Sequence, residues 1–135
     1  IKSQILIYPC TAPEPETNSQ HEFADGFLLT RRLINWFYKN YLRTNADRND
    51  FRFAPLICND LSNLPPAYIL TAGFDPLRDE GVQYAKKLID FGNNVKLSNY
   101  EGMVHGFFLM GKAVEKASEA LDECCKFLKK TSIKN

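Results

Sequence analysis

The chain has 135 residues, of which 44% are hydrophobic, 13% aromatic and 24% charged. This composition is typical of a globular protein and excludes a disordered or collagen-like chain. Lysine and arginine number 17 against 16 aspartates and glutamates, which gives a formal net charge of +1. Because nucleic-acid and anionic-membrane surfaces depend on excess positive charge, we expect neither partner. No apolar run approaches the roughly 18 residues of a bilayer span.

The first residues predict a strand that belongs in a larger sheet. Residues 5–8 read Ile-Leu-Ile-Tyr and are stopped by Pro9, a pattern typical of a strand covered on both faces in a parallel sheet. Such a strand needs neighbours, and the chain does not begin with methionine. We therefore expect residues 1–135 to be a segment of a single larger domain.

The four cysteines do not form a disulfide pattern. Cys124 and Cys125 are adjacent within a helical stretch, and a domain of this size needs no crosslinks. The sequence has no Cys-x-x-Cys pair or Cys/His cluster of the kind that binds zinc. We expect reduced thiols, a cytoplasmic protein, and no metal or organic cofactor.

A polar loop and an amphipathic helix follow the first strand. Residues 11–20 are rich in proline and glutamate and predict a surface loop. Thr30 is a suitable N-cap for a helix whose apolar residues recur at helical spacing: Leu33, Ile34, Phe37, Tyr38 and Tyr41. Residues 51–56 are apolar but interrupted by Pro55, which predicts a packed loop.

Two strand-helix units complete the chain. A second strand at 67–72 precedes a helix that ends near Phe91, before Gly92. A third strand at 95–100, a loop at 102–107 and a helix from about Lys112 follow. The expected inward residues are Val82, Ala85, Leu88 and Ile89 in the first of these helices, and Val114, Ala117, Leu121, Cys124 and Leu128 in the last. This alternation predicts an α/β fold with a parallel sheet.

Two ionisable residues follow successive strands of this sheet. Asp75 comes after the second strand and His105 after the third. Since the carboxyl ends of parallel strands meet at one edge, we expect the two side chains to lie close together. A carboxylate that orients a histidine base is the rear half of a nucleophilic triad.

Structural interpretations of the same residues stay open. Asp75 before Pro76 also matches a helix N-cap followed by proline at the first helical position. His105, between two glycines, also fits a loop histidine that binds backbone groups. Their joint position at one edge favours the functional interpretation. His21 lies in the polar loop and is expected to be solvated.

Three blocks of sequence resemble hormone-sensitive-lipase-type esterases, a branch of the α/β-hydrolase fold. They are residues 64–67 (Leu-Pro-Pro-Ala), 71–81 (Thr-Ala-Gly-Phe-Asp-Pro-Leu-Arg-Asp-Glu-Gly) and 100–107 (Tyr-Glu-Gly-Met-Val-His-Gly-Phe). The resemblance covers essentially the whole chain and corresponds to the C-terminal part of these enzymes. It implies that Asp75 is the triad acid, that His105 is the triad base, and that the substrate is an ester with a short or medium acyl chain.

The remaining triad and oxyanion elements are not found in the sequence. No serine has glycines at both minus two and plus two, and there is no His-Gly-Gly, although this fold uses a Gly-x-Ser-x-Gly elbow and an HGGG-type loop. We expect both upstream of Ile1. The chain alone is then inactive, and the missing N-terminal part is its partner.

Several apolar residues are candidate substrate contacts. They are Trp36 and Phe37 on the helix, Phe53 and Leu56 in the packed loop, and Phe107 beside the histidine. A helix-spaced aromatic stripe is, however, more often part of a core.

Two functions other than ester hydrolysis stay open. One is a non-catalytic ligand-binding protein on the same scaffold, as in the plant gibberellin receptors, which lack the triad histidine; the presence of His105 argues against it. The other is self-association, because a truncated parallel sheet leaves an edge unpaired. The resemblance implies a homodimer through the strand at residues 95–100.

Overall fold

In the computed structural model of the chain, which describes residues 1–14 and 16–132, strands alternate with helices. The elements are β1 (Gln4–Ile7), α1 (Asn18–Glu22), α2 (Arg31–Tyr41), β2 (Ala67–Phe74), α3 (Arg78–Asp90), β3 (Val95–Val104) and α4 (Glu115–Ser132). Short 3-10 helices lie at Asn45–Asn49, Pro55–Ile57 and Phe107–Leu109. The α/β fold with parallel strands is confirmed. None of the helices within the described ranges is long and apolar enough to cross a membrane.

The three strands form a parallel sheet in the order β1-β2-β3. Successive side chains of the central strand β2 pack on opposite faces: Tyr68, Leu70 and Ala72 join the core with α4, whereas Ala67 and Ile69 join the core with α3. β1 contacts both layers as expected. It is only partly buried, because β2 is its single strand neighbour in the described part of the chain.

Both long helices bury a face that differs from the predicted one. In α3, Ala85 and Leu88 are buried as expected, but Val82 and Ile89 are 36% and 52% exposed. In α4, Leu121 and Leu128 are 51% and 43% exposed. The buried faces are instead formed by Tyr84, Ala85 and Leu88 in α3 and by Ala117, Ala120, Cys124 and Phe127 in α4. Packing against β2 thus selects in each helix a face that overlaps the predicted one only in part.

In the N-terminal half, the predicted helix α2 is less buried than expected, and the predicted surface loop at 11–20 is more buried than expected. The Thr30 side chain accepts a hydrogen bond from the Leu33 amide at 3.2 Å, so the predicted cap of α2 is confirmed. Only Ile34 and Tyr38 of that helix are buried. The predicted surface loop at 11–20 is wrong in part, because it includes the start of α1 and because Thr11, Ser19 and Gln20 are buried.

β3 extends four residues beyond its predicted end and carries a bulge. Ala72 pairs with Tyr100, but Phe74 pairs with Val104. The first part of the predicted loop, residues 102–104, is therefore strand. Glycine at position 102 favours a loop locally, but renewed pairing with β2 keeps the backbone extended. A bulge of this kind changes the direction of the residue that follows it, which here is His105.

Candidate active site

Asp75 and His105 lie side by side at the carboxyl ends of β2 and β3. His105 Nδ1 is 2.8 Å from Asp75 Oδ2, across 30 positions of sequence. The Asp75 side chain is fully buried, and the His105 side chain is 25% exposed. The predicted proximity of the two groups is therefore present in the structure. With Nδ1 held by a buried carboxylate, Nε2 is the nitrogen left for exchanging a proton with a reactant.

The second carboxylate oxygen of Asp75 holds the turn into α3. Asp75 Oδ1 accepts a hydrogen bond from the Leu77 amide at 2.8 Å. Asp75 can thus hold this turn and contact His105 at the same time, since each contact uses a different oxygen. The helix itself begins at Arg78 and not at Pro76, so the predicted position of Asp75 as N-cap is wrong.

The imidazole of His105 is held on two further sides. Gly106 adopts φ +85°, a left-handed conformation that favours glycine, and so turns the chain sharply after the histidine. The ring of Tyr8, directly after β1, lies 4.3 Å from the imidazole between ring centroids. Tyr8 was not predicted as a site residue, because nothing in its local sequence separates it from the end of a strand.

The acidic residues after Asp75 bind the loop between β1 and α2. Glu80 Oε1 accepts hydrogen bonds from the amides of Thr11 and Ala12 at 2.5 and 3.1 Å. Glu80 Oε2 accepts from Gln20 Nε2 at 3.3 Å. Asp79 Oδ2 accepts from the Ser19 amide at 2.9 Å. Asp79 and Glu80 thus fix a segment that is about 60 to 70 positions away in sequence, an interaction that the sequence analysis did not predict.

We expect the buried carboxyl group of Glu80 to make folding stability depend on pH. Burial raises its pKa from the ordinary value of 4.5, and the amides of Thr11 and Ala12 partly oppose this. A carboxyl group whose pKa is higher in the folded than in the unfolded state stabilises the folded protein. This stabilisation is fully present at pH values below the unfolded pKa, and it is lost as the pH rises through the folded pKa. In Glu80→Gln this contribution is absent. The free energy of unfolding of Glu80→Gln relative to wild type should therefore increase between pH 4 and pH 8, measured by urea denaturation.

The glutamine side chain can be accommodated at position 80. Gln20 Oε1 is buried without a hydrogen-bond partner among the described residues. If the Gln20 side-chain amide rotates by 180°, this oxygen can accept a hydrogen bond from the NH₂ group of a glutamine at position 80. The matched control is Glu115→Gln, at the exposed start of α4, which should leave the pH dependence unchanged. A constant difference between Glu80→Gln and wild type across this range would contradict the prediction.

Arg78 ties the bulge to the start of α3. Its guanidinium donates to the Gly73 carbonyl at 3.1 Å and to Asp79 at 2.8 Å, and it lies 5.0 Å over the ring of Phe23. The backbone immediately before Asp75 is therefore held by a charged group that the sequence interpretation did not assign.

The predicted substrate contacts fall into two groups. Trp36 and Phe37 are 56% and 51% exposed. Phe53 and Leu56 are partly buried against core clusters, and Phe107 is 1% exposed within the core under α4. Phe53, Leu56 and Phe107 therefore pack against the core, whereas Trp36 and Phe37 lie at the surface. A role in substrate binding stays a prediction for all five.

An open groove of about 520 Å³ lies beside Trp36 and is lined by Leu28, Thr30, Arg32 and Leu33. Leu28 is 65% exposed, and a methyl group at Gly106 would lie 3.4 Å from its Cδ2. Leu28 therefore connects this groove to the residue after His105, and it too was missed by sequence interpretation. In the part of the chain that the structure describes, no group of three or more His, Cys, Asp or Glu residues is arranged to hold a metal ion.

Comparison with known proteins gives a consistent result. Residues 1–109 match the family described as alpha/beta hydrolase fold. The chain is 41% identical over 118 residues to an ethyl acetate hydrolase of Pseudomonas putida, which covers 87% of this chain and 37% of that protein. It is 49% identical over 105 residues to the carboxylic ester hydrolase LipN of Mycobacterium tuberculosis, covering 77% and 28%.

Solved structures agree with this result. The esterase of Pyrobaculum calidifontis has a TM-score of 0.93 and 34% identity, covering 98% of this chain and 44% of that one. The chain spans about a third of the length of the curated relatives it matches. The resemblance to esterases that the sequence motifs indicated is confirmed, and the match over residues 1–109 shows that the chain belongs to the α/β-hydrolase fold family.

Proposed function

We propose that the protein to which this chain belongs hydrolyses carboxylic esters, with His105 as general base and Asp75 as the group that orients it. The observation that carries the proposal is the 2.8 Å contact between His105 Nδ1 and Asp75 Oδ2 at adjacent strand ends. The buried carboxylate and the partly exposed imidazole are the environments that the two roles require. Similarity to an ethyl acetate hydrolase and a carboxylic ester hydrolase supports the reaction class.

In the proposed reaction, Asp75 keeps the His105 proton on Nδ1, so that Nε2 is a free base. Nε2 accepts the proton of a serine hydroxyl as the serine oxygen attacks the ester carbonyl carbon. It then donates that proton to the leaving alkoxide, which departs as the alcohol and leaves an acyl-serine. Water attacks the acyl group with the same base, which releases the carboxylic acid and restores the serine. Asp75 stabilises the imidazolium in both halves.

The nucleophile of this proposal lies outside the chain. None of its serines is in a Gly-x-Ser-x-Gly setting and it has no His-Gly-Gly. The chain thus contributes the acid and the base, and a segment upstream of Ile1 contributes the serine and the oxyanion donors. We propose that the chain alone does not turn over esters, because both the covalent route and the oxyanion stabilisation are then missing.

We further propose that small esters bind beside the groove at Leu28 and Trp36. The exposed apolar side chains at this edge, together with the contact between Leu28 and Gly106, put a hydrophobic surface next to His105. An apolar acyl or alkyl group fits such a surface.

The test is a chimaera in which this chain replaces the 118-residue aligned segment of the Pseudomonas putida ethyl acetate hydrolase. Hydrolysis of ethyl acetate by the chimaera, and its absence in the isolated chain, is the expected result. A folded but inactive chimaera would contradict the proposal and favour a ligand-binding protein. Reading the coding sequence upstream of Ile1 for His-Gly-Gly and Gly-x-Ser-x-Gly is an independent check.

We also propose self-association of the chain through the outer edge of β3. β3 ends the sheet and pairs with β2 alone among the described strands. Leu97 on this strand is 38% exposed, and an exposed edge with apolar side chains favours pairing with a second copy. Light scattering of the chain over a range of concentrations should give a mass that rises to that of a dimer. A monomer at every concentration would contradict the proposal.

A further inference from the structure

Tyr8 has an unusual backbone conformation at the end of β1. Its φ is +35°, although a residue before proline normally adopts an extended conformation with negative φ. Non-glycine residues in this region are strained, and they persist only where the surrounding structure determines them. The strain therefore indicates that neighbouring segments hold Tyr8 in this conformation.

The backbone on both sides of Tyr8 is fixed. Its amide donates to the Leu70 carbonyl of β2 at 2.6 Å. Pro9 packs against the backbone of α3, where a methyl group at Gly81 would lie 3.5 Å from its Cδ. Two residues further on, the Thr11 amide binds the buried carboxylate of Glu80. Tyr8 is therefore clamped between β2 and the first turns of α3.

This conformation puts the Tyr8 ring against the imidazole. The centroids of the Tyr8 and His105 rings are 4.3 Å apart at an interplanar angle of 49°. The centroid of the Phe107 ring lies 6.3 Å from that of Tyr8. Burial, followed by the nearby Asp75 carboxylate, raises the pKa of the Tyr8 phenol. The phenol therefore stays neutral and adds no charge beside the imidazole.

The hydrogen bond to Asp75 fixes one atom of the imidazole, but a single bond allows the ring plane to rotate about it. A second contact is needed to define the plane, and the Tyr8 ring is the aromatic group in contact with it. We infer that Tyr8 is a positioning residue that sets the orientation of the His105 ring and thereby keeps its Nδ1 on Asp75. The inference rests on the proposed function for its catalytic meaning, but the orientation itself is a property of this chain.

The experiment uses the complete 135-residue chain labelled with ¹⁵N and ¹³C. The chain has two histidines, so His21→Gln assigns their resonances. Relaxation of the imidazole C–H groups reports ring order, and the nitrogen shifts of the neutral ring report the tautomer. In wild type and in Tyr8→Phe we expect an order parameter of about 0.85 and a single Nδ1–H tautomer, whereas in Tyr8→Leu the order parameter should fall below about 0.6, with both tautomers populated.

Tyr100→Leu is the matched control. Tyr100 packs against Phe107 at 5.2 Å in the same cluster as Tyr8, so its loss softens the core by a similar amount. It should leave the His105 order parameter and tautomer unchanged. An ordered, single-tautomer imidazole in Tyr8→Leu would overturn the inference, and so would equal disorder in Tyr100→Leu.

If Tyr8→Leu does not fold, measurements on the wild-type chain alone test the inference. Cross-relaxation between the Tyr8 ring protons and the imidazole protons, together with a rigid imidazole, supports the inference, and the absence of either overturns it. Because the readout is ring orientation, the inference can fail while the chimaera still hydrolyses esters. Conversely, an inactive chimaera with an ordered imidazole contradicts the proposed function and leaves the positioning intact.

Discussion

Replacement of His105 by alanine in the chimaera is expected to lower kcat for ethyl acetate by about 10⁶-fold. The imidazole is the group that would accept and return the serine proton, and the described residues offer no second base in contact with Asp75. Asp75→Asn is expected to lower kcat by about 10⁴-fold. Asparagine can still accept from the Leu77 amide, but its NH₂ group faces His105 Nδ1 and favours the wrong tautomer. The measurement is steady-state hydrolysis with the protein concentration corrected for the folded fraction.

The double variant tests whether the two residues act as a unit. If Asp75 works only through the imidazole, Asp75→Asn combined with His105→Ala should be no slower than His105→Ala alone. The matched controls are His21→Ala, whose side chain is 57% exposed, and Asp90→Asn at the exposed end of α3. Both should stay within about twofold of the parent chimaera. A His105→Ala variant that keeps a tenth of the activity would exclude His105 as the base.

Gly73→Ala is expected to destabilise the fold by about 3 kcal/mol or more. A methyl group at this position would clash with the backbone of Glu101 in β3, above all with its carbonyl oxygen. Rotation of a side chain cannot relieve a clash with backbone. The two strands must separate at the bulge, immediately before Asp75 and His105. Urea denaturation of the chain measures the loss of stability.

Gly102→Ala is the matched control for this prediction. Gly102 lies on the facing strand β3, and a methyl group there has no neighbour within 4 Å. Its effect on the free energy of unfolding should stay within about 0.5 kcal/mol. Similar stability of the two variants would show that close approach of the strands at Gly73 is not needed. In the chimaera, we also expect Gly73→Ala to lower kcat, because the separation of Asp75 and His105 depends on the same strand pair.

The sequence predicted the elements better than their packing. Continuous apolar runs and helical patterns located three strands and the long helices, because those patterns record which local geometry can bury apolar groups. The same patterns could not select the buried face of α3, where Val82 and Ala85 both fit an apolar stripe. That selection depends on packing against β2, where Ala85 and Leu88 join the core that contains Ile69.

The candidate site divides in the same way. Asp75 and His105 could be identified because chain order and strand polarity bring the ends of successive parallel strands to one edge. The hydrogen bonds of Glu80 to the Thr11 and Ala12 amides could not be predicted. These partners lie 69 and 68 positions away, and a bond to a backbone amide does not depend on the type of side chain at that position. For Phe53, Leu56 and Phe107 the sequence could not separate a packing role from a substrate contact, because apolarity is the same signal for a pocket and for a core.

The amino-acid sequence by itself thus determined the α/β alternation, the esterase resemblance and the carboxylate-histidine pair, all of which depend on local periodicity, motif spacing and order along the chain. Only the tertiary structure decided the bulge that extends β3 to Val104, the strained Tyr8 against the imidazole and the burial of Glu80. The physical reason is that each of these results from close contact between segments that are distant in sequence, where packing and hydrogen bonding override the local preference of the residue.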